Sequence, residues 1–250
     1  MKHRLTTLTL LGIPIARATS AEALAEIERL AETQAPAMLA YVNAHSLELS
    51  ARDAEFRRIL QDCALVLNDG VGVSLAARLC RHGPFPENLN GTDFSPRILK
   101  LAAEKGWRIF LLGAAPGVAE KAAAKFLDAY PGIQVAGTRC GYFSEDEAAG
   151  VANQIREART DLLFVGMGNP AQEKWLARYL TQTNVKIAAG VGAFFDFSAG
   201  VFPRAPFWMR NLKVEWIFRM SLEPGRLWKR YVLGGPVFLA RVVLHLLFKR

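Results

Sequence analysis

Apolar runs of strand length alternate with longer stretches of helical periodicity through the first two hundred residues, and few architectures accept that pattern. The strand-length runs are Met38 to Val42, Ala64 to Leu67, Trp107 to Leu112, Ile133 to Ala136, Leu162 to Val165 and Val185 to Ala189. Between them lie Ser46 to Leu60, Val71 to Cys80, Phe94 to Lys105, Val118 to Tyr130, Glu145 to Arg159 and Pro170 to Thr181, whose apolar residues recur every three to four positions. Strands that alternate with helices predict an α/β fold, a Rossmann-like parallel sheet with helices on both faces. A chain of 250 residues, 51% hydrophobic, is long enough to bury such a core. Cys63, Cys80 and Cys140 form neither a disulfide framework nor a metal-ligand spacing, so no metal is expected and a reducing compartment is the default. The first fifteen residues contain Gly12 and Pro14 within a short apolar run and read as no signal peptide.

The charge is unevenly placed. Residues 201–250 contain ten Lys/Arg against two acids, so the whole formal net charge of +8 resides there and the body is neutral. The same fifty residues hold Trp208, Trp216 and Trp228 among many aliphatic side chains. This predicts a core over 1–200 and a mainly helical appendage over 201–250 that lies on an anionic membrane surface. Gly234, Gly235, Pro236, Arg241 and His245 interrupt its longest apolar stretch, so it is not expected to span. A nucleic-acid arm would be as basic but would not need Val237-Phe238-Leu239-Ala240 or Val242-Val243-Leu244, so no nucleic-acid partner is expected. An ordinary amphipathic helix pair packed on the domain is the plainer alternative.

Ligands of parallel α/β sheets collect where strands turn into helices, and four such turns here are marked by glycine: Gly70-Val71-Gly72, Gly113 to Gly117, Gly166-Met167-Gly168 and Gly190-Val191-Gly192. Backbone N–H groups exposed by glycine, together with helix N-termini, suit a nucleotide or diphosphate, although any one such turn is explained by corner geometry alone. Position 75 is Leu where a dinucleotide fingerprint needs its third glycine, and no P-loop is present. With no Asp-x-Asp pair to hold a metal-bound sugar nucleotide, a diphosphate leaving group would be neutralised by Arg or Lys, which the tail supplies. Asp69 follows the four apolar residues Ala64 to Leu67 and Asn68, and precedes Gly70, a setting that raises a carboxylate toward the range of a working base; as a helix cap it would be unremarkable. Gln172 offers a donor and an acceptor to the rim and suits a sugar or uracil, Glu173 equally complements a helix dipole, Asn43 ends the first run, and Asp93 is equally an N-cap.

Asn68-Asp69-Gly70-x-Gly72, Asn90-Gly91-Thr92-Asp93, Gly166-x-Gly168-x-Pro170-x-Gln172-Glu173-x-Trp175, Gly190-Val191-Gly192-Ala193-x-Phe195-Asp196, Arg204-Ala205-Pro206-x-Trp208, Glu215-Trp216-x-x-Arg219 and Glu223-Pro224-x-Arg226-Leu227 together resemble the WecG/TagA/CpsF glycosyltransferases, in order and over nearly the whole chain. The resemblance implies inverting, metal-independent transfer of a sugar of the N-acetylmannosamine, N-acetylmannosaminuronic acid or glucose type. The donor would be a UDP-sugar and the acceptor a polyprenyl-diphosphate-linked saccharide, in surface polysaccharide assembly at the cytoplasmic face of a bacterial inner membrane. No cofactor is implied. It further implies that Asp69 is the general base, that Asn43, Asn68, Asp93, Gln172 and Glu173 contact substrate, and that Gly192 and Asp196 shape the nucleotide site. Arg219, Arg226 and Arg230 would close over the departing UDP. Tyr41 and Asn88 depart from residues common in the family near the sugars. A non-catalytic membrane-surface scaffold and an NAD-dependent oxidoreductase are the alternatives; a homo-oligomer is left open.

Overall fold

The computed structural model describes residues 5–212, 214–228 and 232–248. The chain opens with a hairpin of β1 (Thr7–Leu10) and β2 (Ile13–Ala16), followed by α1 (Ser20–Ala31), β3 (Ala37–Val42), α2 (Ala44–Ser50), α3 (Ala54–Asp62), β4 (Leu65–Asn68), α4 (Val71–Leu79) and α5 (Gly91–Glu104). Next come β5 (Arg108–Gly113), α6 (Val118–Ala129), β6 (Gln134–Arg139), α7 (Glu145–Glu157), β7 (Leu162–Gly166), α8 (Ala171–Thr183), β8 (Ile187–Gly190) and α9 (Phe194–Ala199). The tail forms α10 (Phe207–Asn211), α11 (Glu215–Leu222), α12 (Pro224–Trp228) and α13 (Gly234–Phe248).

Strands β3 to β8 form one parallel sheet in the order β4-β3-β8-β7-β5-β6. Every residue of β3, β4, β7 and β8 is buried, which explains their largely apolar runs: a strand covered on both faces leaves little room for a polar side chain, and Asn68 at the end of β4 is held by a hydrogen bond to the Glu87 carbonyl. Alternate side chains serve opposite faces. Leu39, Tyr41, Leu67, Leu111 and Phe164 pack with α1, α5, α6 and α9, while Met38, Ala40, Val66, Leu112 and Val165 pack against α2, α3, α7 and α8. The α/β class and the six parallel strands agree with the sequence reading.

Two local features differ from it. The single helix expected over Ser46 to Leu60 is two helices, because Asp53 adopts an extended backbone and its Oδ1 accepts from the Phe56 N–H, starting α3 anew. The β1–β2 hairpin is built around the residues that read as breakers: Leu11 and Gly12 turn with positive φ (50° and 85°), and Pro14 sits in a two-stranded ribbon where a missing donor is tolerated. Its apolar face, Leu8, Leu10, Ile13 and Ile15, is buried against Phe56, Leu60 and Val66.

The tail is not a loose extension. Phe238 and Val242 of α13 are each 1% exposed and enter the same apolar cluster as Val42, Leu47 and Val73. Arg241 beside them makes a bidentate pair with Glu48 of α2, at 2.8 and 3.1 Å.

Candidate active site

The parallel register sets the first pair of polar groups. Val42 faces Asn68 across β3 and β4, so the next residue of each strand, Asn43 and Asp69, emerges side by side at the carboxyl edge. The Asp69 N–H donates to the Val42 carbonyl at 2.8 Å, and Asn43 Nδ2 donates to Asp69 Oδ2 at 3.3 Å. The orientation of the Asn43 amide is settled by α2, which it caps: its Oδ1 accepts from the backbone N–H groups of His45 and Ser46, each at 3.1 Å, so only Nδ2 is left for Asp69. The N-cap of α4 is Gly70, one residue beyond Asp69. Gly70 turns with φ 91°, a conformation that favours glycine, and donates its N–H to Asn88 Oδ1 at 2.9 Å. Asn88, one of the two departures from the family pattern, therefore braces the Asp69 turn. Tyr41, the other, lies in the cavity wall with its hydroxyl 3.3 Å from Ser95 Oγ, and burial raises its phenol well above the ordinary value.

On the other side of β3 the turns after β7 and β8 are tied by one side chain. Gln172 Oε1 accepts from the N–H groups of both Gly168 and Gly192, at 3.1 Å each, and Gln172 Nε2 donates to Glu173 Oε1 at 2.7 Å. Asn169 Nδ2 donates to the same oxygen at 2.6 Å. A Cβ on Gly190 would stand 2.6 Å from Gln172 Nε2, so glycine is required there for this amide to fit. Glu173 is fully buried, its Oε2 has no hydrogen-bond partner among the described residues, and desolvation pushes its carboxyl up to about 7 against the pull of Gln172 and Asn169.

These elements enclose a cavity of about 550 Å³. Its floor is Asn43, Asp69, Gly168, Asn169, Gln172 and the turn from Gly190 to Ala193. One wall is His45, Glu48, Leu49 and Arg52 of α2 and its end; another is Gly91 and Thr92 of α5. The tail closes it with Arg219, Leu227, Leu233, Gly234 and Val237. Arg219 stacks its guanidinium 5.0 Å from the centroid of Phe197, which also lines the cavity. Arg204 anchors the approach of the tail, with Nη2 2.8 Å from Asp93 Oδ1 and Nε 3.3 Å from Glu215. Among the described residues, no cluster of three His, Cys, Asp or Glu side chains is placed to hold a metal ion, and no helix is long and apolar enough to cross a membrane.

Asn43, Asp69, Gln172, Gly192 and Arg219 are thus brought to one cavity. Four expected substrate contacts are not. Asn68 is fully buried and donates to the Glu87 carbonyl at 3.1 Å, away from the site, because strand alternation turns it opposite to Asp69. Glu173 lies beneath the glycine turns. Asp93 belongs to the α5 cap, accepting from Asn90 Nδ2 at 2.8 Å, and to the Arg204 pair. Asp196 sits on α9 outside the cavity lining. Gln172, expected to offer its amide to a sugar, engages both its oxygen and its nitrogen within the protein. Arg226 lies on α12 with its side chain outside what is described, and Arg230 lies outside the described residues. His45, Glu48 and Arg52 were not singled out from the sequence. The available signal was the Glu48/Arg52 pair at helical i,i+4 spacing beside the Asn43 cap, an ordinary surface motif until α13 docks on it.

Residues 8–250 match the family model described as Glycosyl transferase WecG/TagA/CpsF family. An N-acetylglucosaminyldiphosphoundecaprenol N-acetyl-beta-D-mannosaminyltransferase of Bacillus subtilis (strain 168) is 33% identical over 207 residues, 83% of this chain and 79% of that protein. A protein of the same name from Staphylococcus aureus (strain MRSA252) is 30% identical over 213 residues, 84% of this chain and 78% of its own.

Proposed function

This chain belongs to the WecG/TagA/CpsF family of glycosyl transferases, and from that premise we propose that it moves an N-acetylmannosamine-type sugar from a UDP-sugar to an N-acetylglucosaminyl-diphosphate-polyprenol acceptor, with inversion and without a metal. The observation that carries the reading is a carboxylate and an oriented amide, Asp69 and Asn43, on the floor of a cavity whose lid contributes Arg219. An inverting transfer needs one base on the face opposite the leaving group. Asp69 takes the proton of the acceptor hydroxyl as its oxygen bonds to the sugar C1, and the C1–O bond to the UDP β-phosphate breaks with its electron pair on UDP. Asn43 Nδ2 holds the carboxylate in place for that proton. Arg219 offsets charge on the departing diphosphate, and Arg226 and Arg230 are proposed as further cations for that diphosphate. The Gly190–Ala193 turn, which lines the cavity, borders the nucleotide.

The tail presents exposed Phe207, Trp208, Leu212, Trp228 and Leu247 within its basic composition. That supports peripheral attachment to an anionic membrane, where the lipid-linked acceptor resides; the cytoplasmic face is the side proposed. The test is UDP release from a panel of UDP-sugars with an N-acetylglucosaminyl-diphosphate-prenol acceptor in detergent, with EDTA present. Acceptor-dependent release from UDP-N-acetylmannosamine is expected; release from another donor, or only without EDTA, would overturn the donor or the metal-independent mechanism respectively.

A further inference from the structure

The cavity does not end at Asp69. It continues along α2, past His45 and Glu48, to Arg52, with Leu49 on the same wall and Leu233 and Val237 of the tail opposite. From Asn43 to Arg52 the chain advances nine residues, roughly 13 Å at helical rise. Asp69 and Arg52 line this one cavity of about 550 Å³, a volume that takes a pyranose and a phosphate.

The far end combines a positively charged cluster with apolar side chains. Glu48 is nearly buried and is shared by two guanidinium groups, Arg241 of α13 at 2.8 Å and Arg52 at 2.6 Å, so the cluster keeps one positive charge in excess. Arg241 holds Glu48 through a bidentate pair, whereas Arg52 engages it through Nη2 and leaves 62% of its side chain exposed at the rim. Facing it, Leu233 is exposed and Val237 too, and exposed Leu244 and Leu247 continue the apolar surface along α13. A nucleoside diphosphate would leave that apolar wall unused.

We propose that this α2/α13 groove binds the diphosphate and first isoprene units of the lipid-linked acceptor, with Arg52 contacting phosphate and the Glu48–Arg241 pair positioning it. The proposal rests on the transferase reading above and adds to it where the lipid end of the acceptor lies. Diphosphate could also come from UDP, and the test separates the two.

Full-length Arg52→Gln protein is compared with wild type using the short-chain acceptor. The acceptor KM is expected to rise about tenfold, equivalent to ~1.4 kcal/mol, while kcat and the donor KM change less than about twofold. Arg52→Lys, which keeps the charge but not the fork, should fall between. Arg58→Gln, an exposed charge on α3 outside the cavity, controls for net charge and should match wild type. Calorimetric binding of farnesyl diphosphate, which needs no turnover, should weaken in Arg52→Gln while UDP binding is kept. An unchanged acceptor KM, equal farnesyl diphosphate binding by both proteins, or a loss of UDP binding instead would each overturn the proposal. If wild type shows no acceptor-dependent UDP release, the transferase reading fails, and the farnesyl diphosphate comparison still decides whether Arg52 binds a prenyl diphosphate.

Discussion

Replacing Glu173 by Gln should flatten the dependence of folding stability on pH. Glu173 is 0% exposed, and burial lifts its carboxyl from the ordinary 4.5 to about 7 in the folded protein. The folded value exceeds the unfolded one, so the neutral carboxyl is the form the fold favours. Stability is full below pH 4.5 and is lost as pH rises through 7. Ionising a group displaced by that interval costs roughly 3 kcal/mol once pH is well above 7, a large share of the stability of a single domain. Gln is the neutral isostere: its oxygen accepts from Asn169 and Gln172 as Glu173 Oε1 does, and its nitrogen stands where Oε2 has no partner among the described residues. The two proteins should therefore match near pH 5, and the variant should be more stable at pH 8 by about 2–3 kcal/mol. Urea unfolding at fixed temperature between pH 5 and 8, with a common m-value, reads this directly. Parallel stability profiles for both proteins would refute the assignment of a largely protonated carboxyl beneath the glycine turns.

Arg219→Ala should lower kcat by about 10²-fold with a smaller change in acceptor KM, because charge stabilisation at a leaving group acts chiefly in the transition state; steady-state kinetics with the acceptor varied at saturating donor checks it. Phe238→Ala should loosen α13 by about 3–5 kcal/mol, since the ring is 1% exposed in the α2/α4 cluster. Hydrogen exchange should quicken over residues 234–248 while the sheet stays protected, and equal loss across the sheet would contradict a locally docked tail.

The sheet was legible because β3, β4, β7 and β8 are buried on both faces, which turns topology into runs such as Leu162 to Val165 that a single sequence displays. The hairpin escaped because its turn uses Gly12 and its second strand contains Pro14, residues that punctuate structure elsewhere. The position of Asp69 at the carboxyl edge of the sheet, in the cavity lining, was legible from the apolar run Ala64 to Leu67 that comes just before Asn68. The role of Gln172 was not: only the fold brings the Gly168 and Gly192 N–H groups to one side-chain oxygen, so an amide that looked available to a sugar is engaged in joining two turns. Arg52 and Glu48 were equally silent, since their meaning comes from Arg241, nearly two hundred residues later in the chain. Local spacing records caps and strand ends; it does not record which distant helix lands on them.

Asp69 is the residue proposed to take the acceptor proton. Asp69→Asn keeps shape and the contact with Asn43 in reach while removing the basic oxygen, so kcat for UDP-sugar transfer should fall by about 10²–10⁴-fold with donor binding and thermal unfolding unchanged. Turnover within about tenfold of wild type, in a variant that binds UDP normally, would contradict it.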